Sequence, residues 1–184
     1  MAVDFGAYHE PRLETPRLLL EPVNAWHGEP MFAGLKDPQL YVFTSDEPPL
    51  AVSDLSRRYE KLESRRSPEG DQLWLNWAVL DRTRGYAGHM QATVKPDSTS
   101  LVAWRIFTAF QRGGIAHEAA DAMLDHLAAI GVTTAIAFID TRNTASIRLV
   151  RKLGFTLART HEKREKLRGR WVDDHEFRKT LNGR

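Results

Sequence analysis

Apolar positions change their period along the chain, and each change predicts a different element. Residues 18–23 read as a first strand, and residues 25–35 and 53–63 as helices, the second opened by Ser53 as N-cap with Ser56 and Arg57 in its first turn. Three strand candidates follow at 72–80, 86–94 and 100–107, rich in Trp, Val and Leu and parted by Asp81-Arg82-Thr83-Arg84-Gly85 and Lys95-Pro96-Asp97. They predict an antiparallel meander. From Gly114 the period becomes helical, because Ile115, Ala119, Met123, Leu127 and Ile130 recur on one side, Glu118, Asp121 and Asp125 on the other, and Gly131 stops the run. Residues 133–139 form a continuous apolar run of β-branched type, as in a strand buried on both faces, followed by a helix over 144–153 ending at Gly154-Phe155. Residues 156–163 and 171–179, joined by the turn Arg168-Gly169-Arg170, can close the sheet as a last antiparallel pair. The pattern predicts a mixed α/β (α+β) sheet with helices against it.

Composition narrows the classes. A length of 184 residues suits one domain, 1–184, and no repeat or linker divides it. Hydrophobic residues at 42% and charged residues at 27% are the balance of a soluble globular chain and exclude collagen, coiled coil and acidic tail. The net charge of +2 is unevenly placed: residues 151–184 hold 11 basic and 5 acidic side chains. That segment can favour an anionic ligand but is too mixed in sign for a nucleic-acid arm. With no cysteine, disulfides, Cys-ligated zinc, iron–sulfur clusters and a thiol nucleophile are excluded together. Met1-Ala2-Val3-Asp4-Phe5 has no basic stretch followed by an apolar core, and no apolar run approaches a bilayer span, so no membrane partner and a cytoplasmic location are expected.

The most informative stretch runs from Trp104 to Ala116, where a strand passes through a Gly-bearing loop into the start of the longest helix. Free N–H groups of a first helical turn, the positive end of the helix dipole and glycines that admit a ligand to the backbone suit a phosphate or pyrophosphate. No Gly-Lys-Ser/Thr follows, so it is not a Walker loop, and Gly113-Gly114-Ile115-Ala116-His117-Glu118 lacks the spacing of the dinucleotide fingerprint. What remains is Q-x-x-G-x-A, which in isolation is also compatible with a plain strand-to-helix turn.

Two such stretches in order carry a resemblance. Gln111 to Ala116 and Asp140-Thr141-Arg142-Asn143-Thr144-Ala145-Ser146, the latter closed by Lys152-Leu153-Gly154-Phe155, resemble the two cofactor motifs of the GCN5-related N-acetyltransferase (GNAT) family. Glu14-Thr15-Pro16-Arg17-Leu18, Asn76-Trp77-Ala78-Val79 and Gly88-His89-Met90-Gln91 resemble its ribosomal-protein N-terminal acetyltransferase branch, over about residues 14–180. The resemblance implies a mostly antiparallel sheet of about seven strands, splayed in the middle, with helices on both faces. It implies acetyl-CoA as cosubstrate, its pyrophosphate held by the N–H groups of Arg112, Gly113, Gly114, Ile115 and Ala116 in the motif that Gln111 opens. The main chain of Ile106, Phe107 and Thr108 would pair with the pantetheine arm, the N–H near Ile106 would face the thioester carbonyl as an oxyanion donor, and Asn143 would hold the pantetheine from the other side. Relatives that protonate the leaving thiolate with a tyrosine have it where this chain has Val150. In the branch it resembles, Ser146 is the candidate acid, its ordinary alternative being a first-turn helix serine. The family builds its acceptor pocket around positions such as Trp26, Tyr41 and Phe43.

Other residues leave alternatives open. His117-Glu118-Ala119-Ala120-Asp121 approaches a zincin motif but lacks the second histidine, so no metal site is expected and a solvated helix face is. Trp74, Trp77 and Trp104 read mostly as packing. The general base that frees the amine is Asp140, His89, Asp97 or a water chain. The leading function is direct acetyl transfer to a primary amine, a peptide N-terminus or a small molecule, in a ternary complex. A non-catalytic acyl-CoA-binding module on the same fold is the alternative, and release of thiol separates the two. The acceptor and a homodimer are left open.

Overall fold

The computed structural model describes residues 8–181. One eight-stranded sheet runs through the chain: β1 (Leu13–Glu14), β2 (Leu18–Pro22), β3 (Leu73–Asp81), β4 (Gly85–Val94), β5 (Thr99–Ile106), β6 (Thr134–Asp140), β7 (Thr156–Leu167) and β8 (Arg170–Thr180). Their spatial order is β1-β2-β3-β4-β5-β6-β8-β7, and every neighbouring pair is antiparallel except β5 and β6. The eighth strand beyond the expected seven is β1, a two-residue pair with β2 made possible by the reversal at Thr15-Pro16.

Among the described residues four helices cover the two faces, α1 (Gly28–Leu35), α2 (Val52–Leu62), α3 (Ile115–Ala129) and α4 (Thr144–Lys152). Alternation along the strands explains the division. Leu73, Leu75, Trp77 and Val79 of β3 and Met90, Ala92 and Val94 of β4 point to one side and pack with Ile115, Ala119, Met123 and Leu127 of α3 and Val150 of α4 in the larger core. Ala78 points the other way and meets Met31 and Leu35 of α1 and Leu55 and Tyr59 of α2 in a second, smaller core. Trp77 is fully buried and Trp104 packs on the larger core, as expected of packing residues.

Two helix starts differ from expectation. The helix expected over 25–35 is a 3-10 turn, Ala25–His27, succeeded by α1. Asn24 and His27 form a capping box that begins the turn, and Pro30, which cannot donate, fits only in the first turn of α1. The N-cap of α2 is Ala51 rather than Ser53: its carbonyl accepts from Asp54 and Leu55 N–H, and the acid near the helix start is Asp54. β7 and β8 are longer than expected, since two register shifts in β7 let the hairpin continue to the Arg168-Gly169 turn.

Among the described residues no helix is long and apolar enough to cross a membrane.

Candidate active site

The one parallel pair is where the sheet opens. β5 and β6 are in register only at Thr99↔Thr134, Ser100↔Ala135 and Leu101↔Ile136, after which they diverge, β5 staying with β4 to Ile106 and β6 with β8 to Asp140. Both strands end on the same side of the sheet, and each feeds a helix, so the gap is a crevice at the carboxyl ends of parallel strands, where α/β sheets commonly bind ligands. Backbone groups alternate sides along a strand. Since Phe107 N–H donates to Ala87 O on β4 (2.8 Å), Ile106 turns its N–H away from β4, toward the gap. The Ile106 carbonyl accepts from the Gln111 side chain at 3.0 Å, which ties the strand end to the adjoining loop. Of Ile106, Phe107 and Thr108, then, Ile106 has its N–H turned to the gap and the Phe107 donor is spent on β4, while Thr108 starts a 3-10 turn with its hydroxyl on Asp37 at 2.5 Å.

Gly88 lets β4 and β5 come this close. A Cβ there would lie 2.1 Å from the Arg105 carbonyl oxygen and 2.8 Å from Ile106 Cα, and the residue has φ +150. No side chain fits between the strands opposite Ile106.

The loop from Gln111 to Gly114 ends at α3 with Gly114 as N-cap in the left-handed region, φ 79, without a side-chain cap. The N–H groups of Arg112, Gly113, Gly114, Ile115 and Ala116 have no backbone partner among the described residues, so five donors gather at the positive end of a 15-residue helix. Arg17, just before β2, braces the loop. Its guanidinium donates to the Gly113 carbonyl (3.0 Å) and to Glu118 (2.6 Å), and Glu118 also accepts from Thr15 (2.5 Å). The face expected to be solvated is therefore a clamp between β2 and α3 at Glu118.

Across the gap, Asn143 is the N-cap of α4, its side-chain oxygen accepting from Ser146 N–H at 3.1 Å. Its amide N–H groups remain to donate, and the Ser146 hydroxyl makes no hydrogen bond with a described residue. Val150 is fully buried in the core.

The three candidate bases are placed very differently. Asp97 sits in the β4–β5 turn, capping Thr99, at the closed end of the split. Asp140 lies at the open end, but burial, which works against its charge, is outweighed by Arg142, whose guanidinium and N–H hold the carboxyl below its ordinary range. His89 is buried one register step from Ile106, opposite Arg105. Burial first, then the Arg105 and Arg58 charges, push its imidazole down to about 3, so it is neutral at physiological pH and too weak to hold a proton taken from an ammonium.

On the face carrying α1 and α2 the strands turn up polar residues: Asn76, His89, Gln91 and Arg105. They floor a cavity of about 190 Å³ walled by Leu35, Tyr41, Leu55, Arg58 and Tyr59. A shallower groove of about 280 Å³ shares Leu62, Asn76 and Gln91 with it and runs past Trp74 to Leu101, Ala103, Ile136 and Phe138, across the gap itself. Trp74 thus lines a groove instead of packing in the core. The β7–β8 turn reaches over the opening, Arg168 donating to the Tyr41 carbonyl at 2.8 Å, while Arg142 lies 5.9 Å from the centre of the Phe43 ring. Trp26 is 55% exposed and stacks on His27, so of the three aromatic positions expected near an acceptor only Tyr41 lines the cavity. Tyr59, Arg58 and Arg105 were not singled out by sequence. For Arg105 the available signal was a polar residue at an alternate position of a strand, as also at His89 and Gln91, whereas Arg58 and Tyr59 lie on α2 and carried no such signal.

Known proteins share this fold. The family model described as an acetyltransferase (GNAT) domain matches residues 17–156. No curated protein matches the chain. Among solved structures, RimL, a ribosomal L7/L12 alpha-N-protein acetyltransferase in complex with coenzyme A, is similar with a TM-score of 0.83 at 16% identity, over 95% of this chain and 100% of that one. The microcin C7 self immunity acetyltransferase MccE, in complex with acetyl-CoA and AMP, is similar at 0.80 and 17%, over 91% and 94%. The ribosomal-protein-S5-alanine acetyltransferase of Vibrio fischeri is similar at 0.79 and 16%, over 94% and 97%.

Proposed function

The chain belongs to the GNAT acetyltransferase family and is an acyltransferase, and from that premise we propose that it transfers the acetyl group of acetyl-CoA directly to a primary amine, both substrates being bound together. The observation that carries this reading is the split between β5 and β6, flanked by the five free N–H groups at the start of α3. The N–H groups of Arg112 to Ala116 receive the pyrophosphate, with Arg17 holding the loop in shape. The pantetheine enters the gap and borders the unpaired edge of β5, with the Asn143 amide on its far side. The thioester carbonyl accepts from Ile106 N–H. As the amine attacks, negative charge grows on that oxygen, and a donor fixed by two neighbouring strands stabilises it without reorganisation. The thiolate then leaves toward the start of α4, where the free Ser146 hydroxyl can protonate it while taking a proton from solvent water. The amine approaches from the face that carries the cavity, losing its proton to water, since Asp140 is held by Arg142 and His89 is too weak a base. The likeness to two ribosomal-protein N-terminal acetyltransferases supports a peptide α-amine or a small amine of similar form as acceptor.

The test is thiol release from acetyl-CoA against a panel of amines, combined with two substitutions. Ser146→Ala is expected to lower kcat by roughly 10²-fold with little change in the KM for acetyl-CoA, because thiolate protonation matters only as the bond breaks. Asn143→Ala is expected mainly to weaken acetyl-CoA binding, and also to cost about 1 kcal/mol of stability, since it removes the α4 cap. Full kcat in Ser146→Ala would leave Ser146 as a helix-start serine, and thiol release with no amine in the panel would favour the non-catalytic module.

A further inference from the structure

The floor of the cavity beside Ile106 is chemically specific. Tyr59 and His89 both line it, 4% and 8% exposed, and Tyr59 Oη and His89 Nδ1 are buried with no hydrogen-bond partner among the described residues. A buried polar atom without a partner costs free energy, so two on one wall of one cavity point to a group that completes them. Arg105 lies beside them, 10% exposed, stacked 4.3 Å from the centre of the Tyr41 ring and paired with Asp46 at 2.9 Å. Arg58 lines the same wall and makes no ion pair with a described residue. Two guanidinium groups therefore face one carboxylate, Asp46. The two acids on the lining itself stand apart: Asp54 is taken by Arg57 at 2.5 Å, and Glu47 is exposed at the rim. The charges felt at His89 are the same three, with Arg105 and Arg58 opposing protonation more strongly than Asp46 favours it. Burial also pushes the Tyr59 phenol up, which keeps it protonated and a donor.

We propose that this cavity receives a carboxylate of the acceptor, so that the amines acetylated are those with a carboxylate close to the reacting nitrogen. Tyr59 O–H, the Arg58 guanidinium and an N–H of the neutral His89 are the donors that meet it. The volume, about 190 Å³, is below the range of roughly 300–1,000 Å³ for sites that engulf a whole small-molecule ligand, and suits one such group. Its position also fits, since His89 and Arg105 are the register pair next to Gly88 and Ile106, about 3.8 Å along the chain from the proposed oxyanion donor. In this reading a carboxylate there is close to the amine that attacks beside Ile106. Two sources supply that chemistry: the α-carboxylate of a free amino acid, or the side chain of Asp or Glu at the first position of a peptide. This inference rests on the acetyl-transfer reading.

The experiment measures thiol release from acetyl-CoA with two matched pairs: serine against serinamide, and an Asp-initiated against an Asn-initiated peptide, both amidated at the C-terminus. In at least one pair the carboxylate member is expected to show kcat/KM tenfold or more above its neutral partner, and the pair that responds identifies the source. Arg58→Gln and Tyr59→Phe are expected to raise the acceptor KM about tenfold and to flatten the preference, leaving the KM for acetyl-CoA unchanged. Tyr59→Phe should not lower the melting temperature, because its hydroxyl has no partner to lose; a hydroxyl with a merely structural role would show a fall. Equal rates within both pairs overturn the carboxylate reading and leave acetyl transfer standing. If no amine releases thiol, acetyl transfer itself fails, and the cavity is judged by titrating N-acetyl-glutamate against N-acetyl-glutamine amide while monitoring the His89 ring by NMR. A response to the acid alone then supports the site, and no response or an equal one overturns it.

Discussion

A Gly114→Asp variant is expected to fold normally and to bind acetyl-CoA at least tenfold more weakly, a loss of about 1.4 kcal/mol. Gly114 is the N-cap of α3 at φ 79, and Asp is among the few residues that tolerate the left-handed region and cap a helix well, so the backbone has no reason to change. A Cβ there meets Arg17 Nη2 at 3.3 Å, a contact at the end of a flexible side chain. The new carboxylate, however, stands among the five N–H donors proposed to receive the pyrophosphate, and there it competes with the ligand for them and repels it. The effect is electrostatic in part, so the difference from the parent protein should narrow as salt is raised. Calorimetric titration of both proteins with acetyl-CoA at two ionic strengths checks it. Equal affinity in a folded variant would remove the pyrophosphate from the start of α3.

Gly88→Ala is expected to lower kcat by about 10²-fold and stability by about 2 kcal/mol. The added methyl would lie 2.1 Å from the Arg105 carbonyl oxygen, a separation no real contact reaches, so β4 and β5 must part opposite Ile106. That shift moves the one N–H that Phe107's bond to Ala87 turns into the gap. A displacement of about 1 Å at a group positioned for the transition state costs far more in rate than in binding. The pyrophosphate loop is held separately, by Arg17 and the start of α3, so affinity for acetyl-CoA should fall much less than kcat. Thermal unfolding, steady-state kinetics and a cofactor titration on the same preparation distinguish these outcomes. A variant with normal kcat would show that Ile106 N–H is not a catalytic donor.

Periodicity alone determined most of the element order. The meander of β3, β4 and β5 and the long α3 arise from local patterns of two and 3.6, because each element presents one consistent face to a core, and β6 from an unbroken apolar run. Gly114 could be marked as part of an anion-binding helix start because such a junction is local chemistry, spelled out within a few residues, whereas Asn143 and Ser146 were marked only through the resemblance of their motif. What tertiary structure decided is whatever depends on residues far apart in the chain. The strands that carry His89 and Arg105 were legible, but not the register that faces both to one side, nor that Tyr59 and Arg58 of α2 would close over them, since α2 joins that wall only by packing across the sheet. Glu118 looked like a solvated helix residue until Thr15 and Arg17, about a hundred positions earlier, met it. The gap between β5 and β6 is likewise a property of the pair and not of either strand: β4 holds one and β8 the other, and three register pairs are all that join them. A sequence records what each strand prefers to bury, whereas the angle at which two strands part is set by the partners on their outer edges.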